Sequence, residues 1–278
     1  MSDRYAVFGN PIAHSKSPLI HRLFAEQTHQ DLVYEAILAP LDGFFATVQR
    51  FIAEGGRGGN VTVPFKTQAH DLSTRLSERA ALAGAVNTLC FGDGGDIYGD
   101  NTDGEGLVQD LTVNLGVMLH GARILVLGAG GAARGALASL LAATPAEVVI
   151  LNRTADKAAV LATQFQALGK ISGGGYGLQG KQSYDLVINA TAASLAGDLP
   201  PLSAQALHTS TVCYDMVYGA APTAFMRWAS AHGTARVYDG LGMLVEQAAT
   251  AFALWRGVRP ITAPVIQAVR SQLSRSAG

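Results

Sequence analysis

Cysteine is scarce in this 278-residue chain and charge is sparse, with two cysteines and 15% Asp, Glu, Lys and Arg together. Cys90 and Cys213 stand far apart and follow no CxxC or Cys/His ligand spacing. They read as free thiols of a reducing, cytoplasmic compartment rather than as a disulfide framework. His14 and His21 do not fall on adjacent helical turns and no HExxH occurs, so no metal is expected. Lys and Arg total 20 against 21 Asp and Glu. Without a concentrated basic stripe, neither nucleic acid nor an anionic membrane is an expected partner. The start, Met1-Ser2-Asp3-Arg4-Tyr5, runs straight into Ala6-Val7-Phe8-Gly9, with no basic segment and long apolar core of an export signal. The most apolar stretch, Ile124 to Ala143, is interrupted by Arg134 and crowded with glycine, which makes it strand, turn and helix rather than a membrane span.

Glycine and apolar residues are plentiful: 32 glycines and 49% hydrophobic residues. That mixture suits a compact α/β enzyme with many tight turns, and the length allows one large domain or two modest ones. Tyr5–Phe8 reads as a short strand closed by the turn cluster Gly9-Asn10-Pro11. Leu19, Ile20, Leu23 and Phe24 repeat at helical spacing behind Ser17 as N-cap and Pro18 as first helical residue. Val33–Leu38 is a second strand, Phe44 to Ile52 a helical stripe, and Gly58–Val63 a strand ending at Pro64. Alternating short strands and helices predict an open α/β sheet. Leu107 to Leu119 has helical periodicity, with polar capping residues in Asn101-Thr102-Asp103-Gly104 ahead of it. Further strands are expected at Leu186–Ile188, Val212–Tyr214 and Arg236–Val237. Helix dominates from Leu241 onward, and Gly173-Gly174-Gly175 reads as a flexible loop.

Ile124–Leu127 is an unbroken apolar strand. It is followed by Gly128-Ala129-Gly130-Gly131-Ala132-Ala133, an Ala-rich helix, and a strand at Val148–Leu151. This is a βαβ unit with its glycines at the first turn, the context a dinucleotide site requires. Gly128 permits the tight turn, Gly130 lets backbone approach a pyrophosphate, and Ala133 is the small residue where helix packs on strand. The helix N-terminus then offers free N–H groups and a positive dipole end to phosphate. An NAD enzyme usually ends its second strand with Asp or Glu for the ribose hydroxyl; this chain has Asn152-Arg153-Thr154, with Lys157 a turn later. A guanidinium pairs with a 2′-phosphate that a carboxylate repels, so NADP is the expected cofactor.

Three polar clusters precede this unit: His14-Ser15-Lys16-Ser17-Pro18, Asn60-Val61-Thr62-Val63-Pro64-Phe65-Lys66, and Asn101-Thr102-Asp103-Gly104. Each stands where a strand or loop gives way to a helix, the place where α/β sheets present ligand-binding groups. Taken singly, Ser15, Ser17 and Asp103 read as helix caps and Lys66 as a surface lysine. Their joint occurrence beside a nucleotide fold points to a small-molecule site.

With these motifs the chain resembles the shikimate dehydrogenases over nearly its whole length. The resemblance also rests on Ala83-Gly84-Ala85-Val86-Asn87-Thr88, Gly99-Asp100-Asn101-Thr102-Asp103-Gly104, Tyr214-Asp215-Met216-Val217-Tyr218 and Asp239 to Gln247. It implies an α/β fold of two domains separated by a cleft. One is an open α/β substrate domain, residues 1–103 and 240–278, completed by the C-terminal helices. The other is a Rossmann-type doubly wound parallel sheet, residues 104–239. It implies NADPH-dependent reduction of 3-dehydroshikimate to shikimate, with Lys66 and Asp103 as the catalytic pair. Ser15 and Ser17 would hold the ring carboxylate, and Thr62, Asn87, Asp103 and Gln247 the ring hydroxyls, with Tyr218 also at the substrate. Gly128, Ala129, Gly130, Gly131, Ala132, Asn152, Arg153, Thr154, Lys157, Thr191, Met216, Gly240 and Glu78 would serve the cofactor. An ammonium near the carbonyl stabilises the developing alkoxide and delivers a proton, and a carboxylate orients it. The family's usual continuation after Asn189-Ala190-Thr191 is missing: Ala192-Ala193-Ser194-Leu195 stands there. The related quinate/shikimate enzymes tend to carry an acid after the strand-two Arg, where this chain has Thr154. A catalytically silent NADP- or shikimate-binding sensor would be expected to lack Lys66 or Asp103; both are present. A homodimer is compatible with the sequence, which sets no oligomeric state.

Overall fold

A computed structural model describes residues 2–180, 182–193 and 197–275. The chain divides into two compact units, Met1–Gly106 with Val245–Ser271, and Leu107–Leu244 with Gln272–Gly278. The chain changes units inside three continuous helices, α5 (Asp103–Gln109), α9 (Leu241–Arg256) and α10 (Ala263–Arg275), the first two crossings falling a few residues beyond the expected boundaries 103/104 and 239/240.

The first unit is built on a mixed six-stranded sheet. Its strands are β1 (Asp3–Gly9), β2 (Leu32–Leu38), β3 (Gly56–Val61), β4 (Arg75–Leu76), β5 (Thr88–Phe91) and β6 (Ile97–Asp100). They lie in the order β2-β1-β3-β5-β6-β4. β1 runs parallel to β2 and β3, whereas β5 is antiparallel to β3 and β6. The helices are α1 (Ser17–Thr28), α2 (Phe44–Ala53), α3 (Lys66–Leu72) and α4 (Glu78–Ala83), joined by α9 and α10 (Ala263–Arg275). Phe8, Phe44, Phe51, Phe65, Val86 and Leu89 fill one core, with Phe44 and Phe65 stacked at 4.9 Å. Lys16, not Ser17, occupies the N-cap of α1, and no side chain caps it. Pro18 fixes the first turn as expected. Ser17 is therefore a first-turn residue whose hydroxyl is released from capping.

The second unit is a six-stranded sheet of β7 (Arg123–Leu127), β8 (Glu147–Leu151), β9 (Ile171–Gly174), β10 (Leu186–Asn189), β11 (Val212–Asp215) and β12 (Arg236–Asp239). Every neighbouring pair is parallel. The order β12-β11-β10-β7-β8-β9 is the doubly wound dinucleotide arrangement, its switch point lying between β7 and β10. Helices α6 (Gly131–Ala142), α7 (Ala155–Phe165) and α8 (Ala224–Ala231) complete it.

Two expectations fail here. Gly173 and Gly174 are not loop but the end of β9. A Cβ on Gly173 would collide with the backbone of Ala158 in α7, so this glycine lets a helix lie directly against an edge strand. The helix expected over Leu107 to Leu119 stops early. It passes into a π turn at Asp110–Asn114, and Gly116, at φ +62, takes a left-handed conformation that ends it. Among the described residues no helix is long and apolar enough to cross a membrane. No cluster of three or more potential metal ligands occurs among them either.

Candidate active site

Three backbone segments in the first unit bring polar side chains together. The chain leaves β3 through a cis Val63–Pro64 bond; buried Phe65 anchors the turn, and Lys66 opens α3. The Lys66 carbonyl accepts the Val86 N–H at 2.8 Å, tying α3 to the segment that carries Asn87. Asn87 is itself held between strands, its N–H donating to Asp100 O and its carbonyl accepting from Val61 N. Asp103 opens α5 just beyond β6. Its carboxylate is taken up by side chains: Oδ2 accepts from Lys66 Nζ at 2.5 Å and Oδ1 from Asn87 Nδ2 at 2.8 Å. The pair is half withdrawn from water, the side chains 27% and 11% exposed.

Gln247 on α9 joins the same cluster. Its Oε1 accepts from Asn87 Nδ2 at 3.3 Å and from Thr102 Oγ1 at 3.4 Å. Gly106 makes this possible, because a Cβ there would meet the backbone and Cβ of Gln247 at 2.6 Å. Thr102 and Asn60 were not singled out from sequence as site residues, although both lie in the motifs that were. Thr102 N–H donates to Asn87 Oδ1 at 2.8 Å, and Asn60 Nδ2 donates to Asn87 O and Thr88 Oγ1. Ser15 Oγ accepts the Ser17 N–H at 3.3 Å, so the two serines share one turn. Thr62 is half-buried and follows β3 directly. Glu78 is an exposed first-turn residue of α4, where its charge complements the helix N-terminus.

In the second unit the glycine turn has the expected form. Gly128 sits at φ +102, packed on Ala190 and Thr191, whose Cγ2 would lie 3.0 Å from an added Cβ. Gly130 is the N-cap of α6 with no side chain capping it. A Cβ on Gly130 or Gly131 would meet nothing within 4 Å. Gly130, Gly131 and Ala132 are exposed, so the start of α6 is not covered by other described residues. Beyond β8, Asn152 Nδ2 donates to Thr154 O, and Arg153, Thr154 and Lys157 are exposed. Asn189 Oδ1 accepts from Thr191 N and Oγ1, fixing Thr191 beside Gly128. Ser194 and Leu195, in the segment that departs from the family pattern, lie outside the described residues. Gly240 packs on the backbone of Met216, which a side chain there would overlap. Tyr218 stands in the same loop, its phenol pushed above the ordinary range by burial and then by the Asp239 charge.

Three family models match the chain. They describe a shikimate dehydrogenase substrate-binding domain over residues 7–89, a shikimate/quinate 5-dehydrogenase over 111–196, and a shikimate 5′-dehydrogenase C-terminal domain over 240–270. A shikimate dehydrogenase (NADP(+)) of Dechloromonas aromatica is 58% identical over 98% of this chain and 99% of its own length. The chain belongs to the shikimate dehydrogenase family. A second member, from Thioalkalivibrio sulfidiphilus, is 59% identical over 96% of this chain and 98% of its own. Among solved structures, shikimate 5-dehydrogenase from Thermus thermophilus, in complex with NADP(H) and shikimate, superposes with a TM-score of 0.86. It is 35% identical and covers 97% of this chain and 99% of its own. Family membership accounts for the joint presence of the polar cluster and the glycine turn on one chain.

Proposed function

We propose that the chain catalyses the reversible, NADPH-dependent reduction of 3-dehydroshikimate to shikimate, with Lys66 as the acid/base. The observation that carries this reading is the Lys66–Asp103–Asn87 arrangement. An ammonium is held by a carboxylate that a buried amide holds in turn. In the reducing direction Lys66 delivers a proton to the carbonyl oxygen as that oxygen takes on alkoxide charge, and recovers one in the other direction. Asp103 accepts from Lys66, fixing where its nitrogen points, and with Asn87 and Gln247 offers donors and acceptors to ring hydroxyls. Ser15 and Ser17 supply hydroxyl donors for the ring carboxylate, and Thr62 one for a ring hydroxyl.

The second unit fits NADP: an uncapped helix N-terminus behind glycines with open space before them suits a pyrophosphate. The exposed Arg153 and Lys157, with Thr154 between them, suit a 2′-phosphate. Thr191, Met216, Tyr218 and Gly240 supply the rest of that wall, and the cofactor supplies the hydride when bound. The residues of this chain hold, orient and protonate.

NADPH oxidation by 3-dehydroshikimate tests the reading in the parent and in Lys66→Ala. Turnover should fall by about 10²- to 10⁴-fold while the KM for substrate moves little. Parent-like turnover in Lys66→Ala rejects the assignment. Parallel assays with quinate and NAD+ define the substrate and cofactor range.

A further inference from the structure

The hydrogen bonds of the first unit run beyond the catalytic pair, and their direction is forced. An ammonium only donates and a carboxylate only accepts. Asn87 must therefore turn its amide nitrogen to Asp103, and its Oδ1 receives the Thr102 N–H at 2.8 Å and the Thr88 hydroxyl at 2.9 Å. Asn60 faces a carbonyl, Asn87 O, which can only accept. So Asn60 must also present nitrogen on that side, where it reaches Thr88 Oγ1 at 3.1 Å, and oxygen on the other. The group on the other side is Tyr34, whose hydroxyl donates to Asn60 Oδ1 at 2.8 Å. Tyr34 has a single proton, and Asn60 Oδ1 takes it. Asn60, Asn87 and Thr88 are 5%, 2% and 0% exposed, so water does not supply alternative partners along the middle of the chain.

Tyr34 lies on the edge strand β2, two strands away from Asn60 on β3. Its ring is stacked on His21 at 4.1 Å and 7°, which fixes the phenol without using its hydroxyl. We infer that Tyr34 is a positioning residue: one relay of hydrogen bonds, Tyr34–Asn60–Thr88–Asn87–Asp103–Lys66, aligns the catalytic pair from the edge strand inward. This rests on the roles proposed above for Asp103 and Lys66. Removing the Tyr34 hydroxyl leaves Asn60 Oδ1 buried without its donor and loosens the amide that faces Asn87 and Thr88.

The test is Tyr34→Phe, which retains the ring and its stacking, assayed with shikimate and NADP+ and accompanied by a thermal melt. The KM for shikimate should rise about tenfold, as for loss of a buried hydrogen bond, with the KM for NADP+ within about twofold and the melting temperature near the parent's. An unchanged KM for shikimate overturns the inference. So does an equal rise in both KM values with a lowered melting temperature, the signature of a merely structural tyrosine. Lys66→Ala separates the levels. If it loses turnover while Tyr34→Phe behaves as the parent, only the relay is refuted; if it turns over normally, the catalytic assignment and the relay fall together.

Discussion

The two units prepare for their ligands in opposite ways. In the first, the groups assigned to substrate are already bonded to one another: Lys66 to Asp103, Asp103 to Asn87, Asn87 and Thr102 to Gln247. In the second, the glycine turn leaves its helix N–H groups uncapped, and Arg153 and Lys157 project from the surface. The contrast follows from what is to be bound. A ring dense in hydroxyls needs donors and acceptors of fixed direction, and buried side chains keep direction only when each is satisfied. A diphosphate needs room and positive potential, which small residues and a helix dipole provide without prior contacts. Packing substitutions should therefore separate: a side chain forced into the substrate cluster shows in stability and substrate affinity together, one added at the glycine turn in cofactor affinity alone.

The sharpest separation is expected at Arg153. Arg153→Glu replaces a cation with an anion at an exposed position, so the fold has little at stake. Lost charge-assisted bonds and added repulsion should lower the preference for NADP+ over NAD+ about a hundredfold. Ratios of kcat/KM for the two cofactors measure this, and an unaltered ratio would show that the 2′-phosphate is read elsewhere. A pair of glycine substitutions breaks the comparison more directly. Gly106→Ala drives a methyl into the Gln247 backbone, and overpacking of this kind costs about 1–3 kcal/mol. A lower melting temperature should accompany a raised KM for shikimate. Gly130→Ala meets no atom within 4 Å, so stability should change by less than about 1 kcal/mol. The KM for NADP+ should nevertheless rise about tenfold, the equivalent of about 1.4 kcal/mol. If Gly106→Ala melts as the parent does, or if Gly130→Ala melts much lower, the contrast is wrong.

The glycine turn, its flanking strands and Arg153 were readable because their signals are local: an apolar run, glycines at fixed spacing, a helix start. The same locality misled elsewhere. Gly173 looked like loop because its reason for being glycine is the backbone of Ala158 in α7, which no neighbour in sequence reveals. The helix after Leu107 kept its apolar period past the point where Gly116 ends it. Motif grouping drew attention to Lys66, Asn87 and Asp103, yet Asn87 is held by Asn60, Thr88 and Thr102, and Asn60 meets Thr88 only through the pairing of β3 with β5. Tyr34 gave no signal beyond strand alternation, and its hydroxyl acquires meaning only from the order β2-β1-β3.

His21 offers an effect on stability alone, with a clean sign. Its ring is wholly buried among Tyr34, Phe24, Phe252 and Trp255. Neither ring nitrogen has a hydrogen-bond partner among the described residues. Burial pushes its pKa down from 6.5 to about 3. Between those values the unfolded chain takes up a proton that the folded chain refuses, so stability falls as pH falls, by at most about 1.4 kcal/mol per pH unit from this group. His21→Phe keeps an aromatic ring in the stack and removes the proton site. Any constant packing difference between the two proteins cancels when their denaturant midpoints are followed against pH. The parent should lose stability relative to His21→Phe from about pH 6.5 downward, and the two should run parallel above it. Parallel curves down to about pH 4.5 would mean that the buried imidazole accepts a proton in place, and that the aromatic wall behind Tyr34 is less closed than its packing indicates.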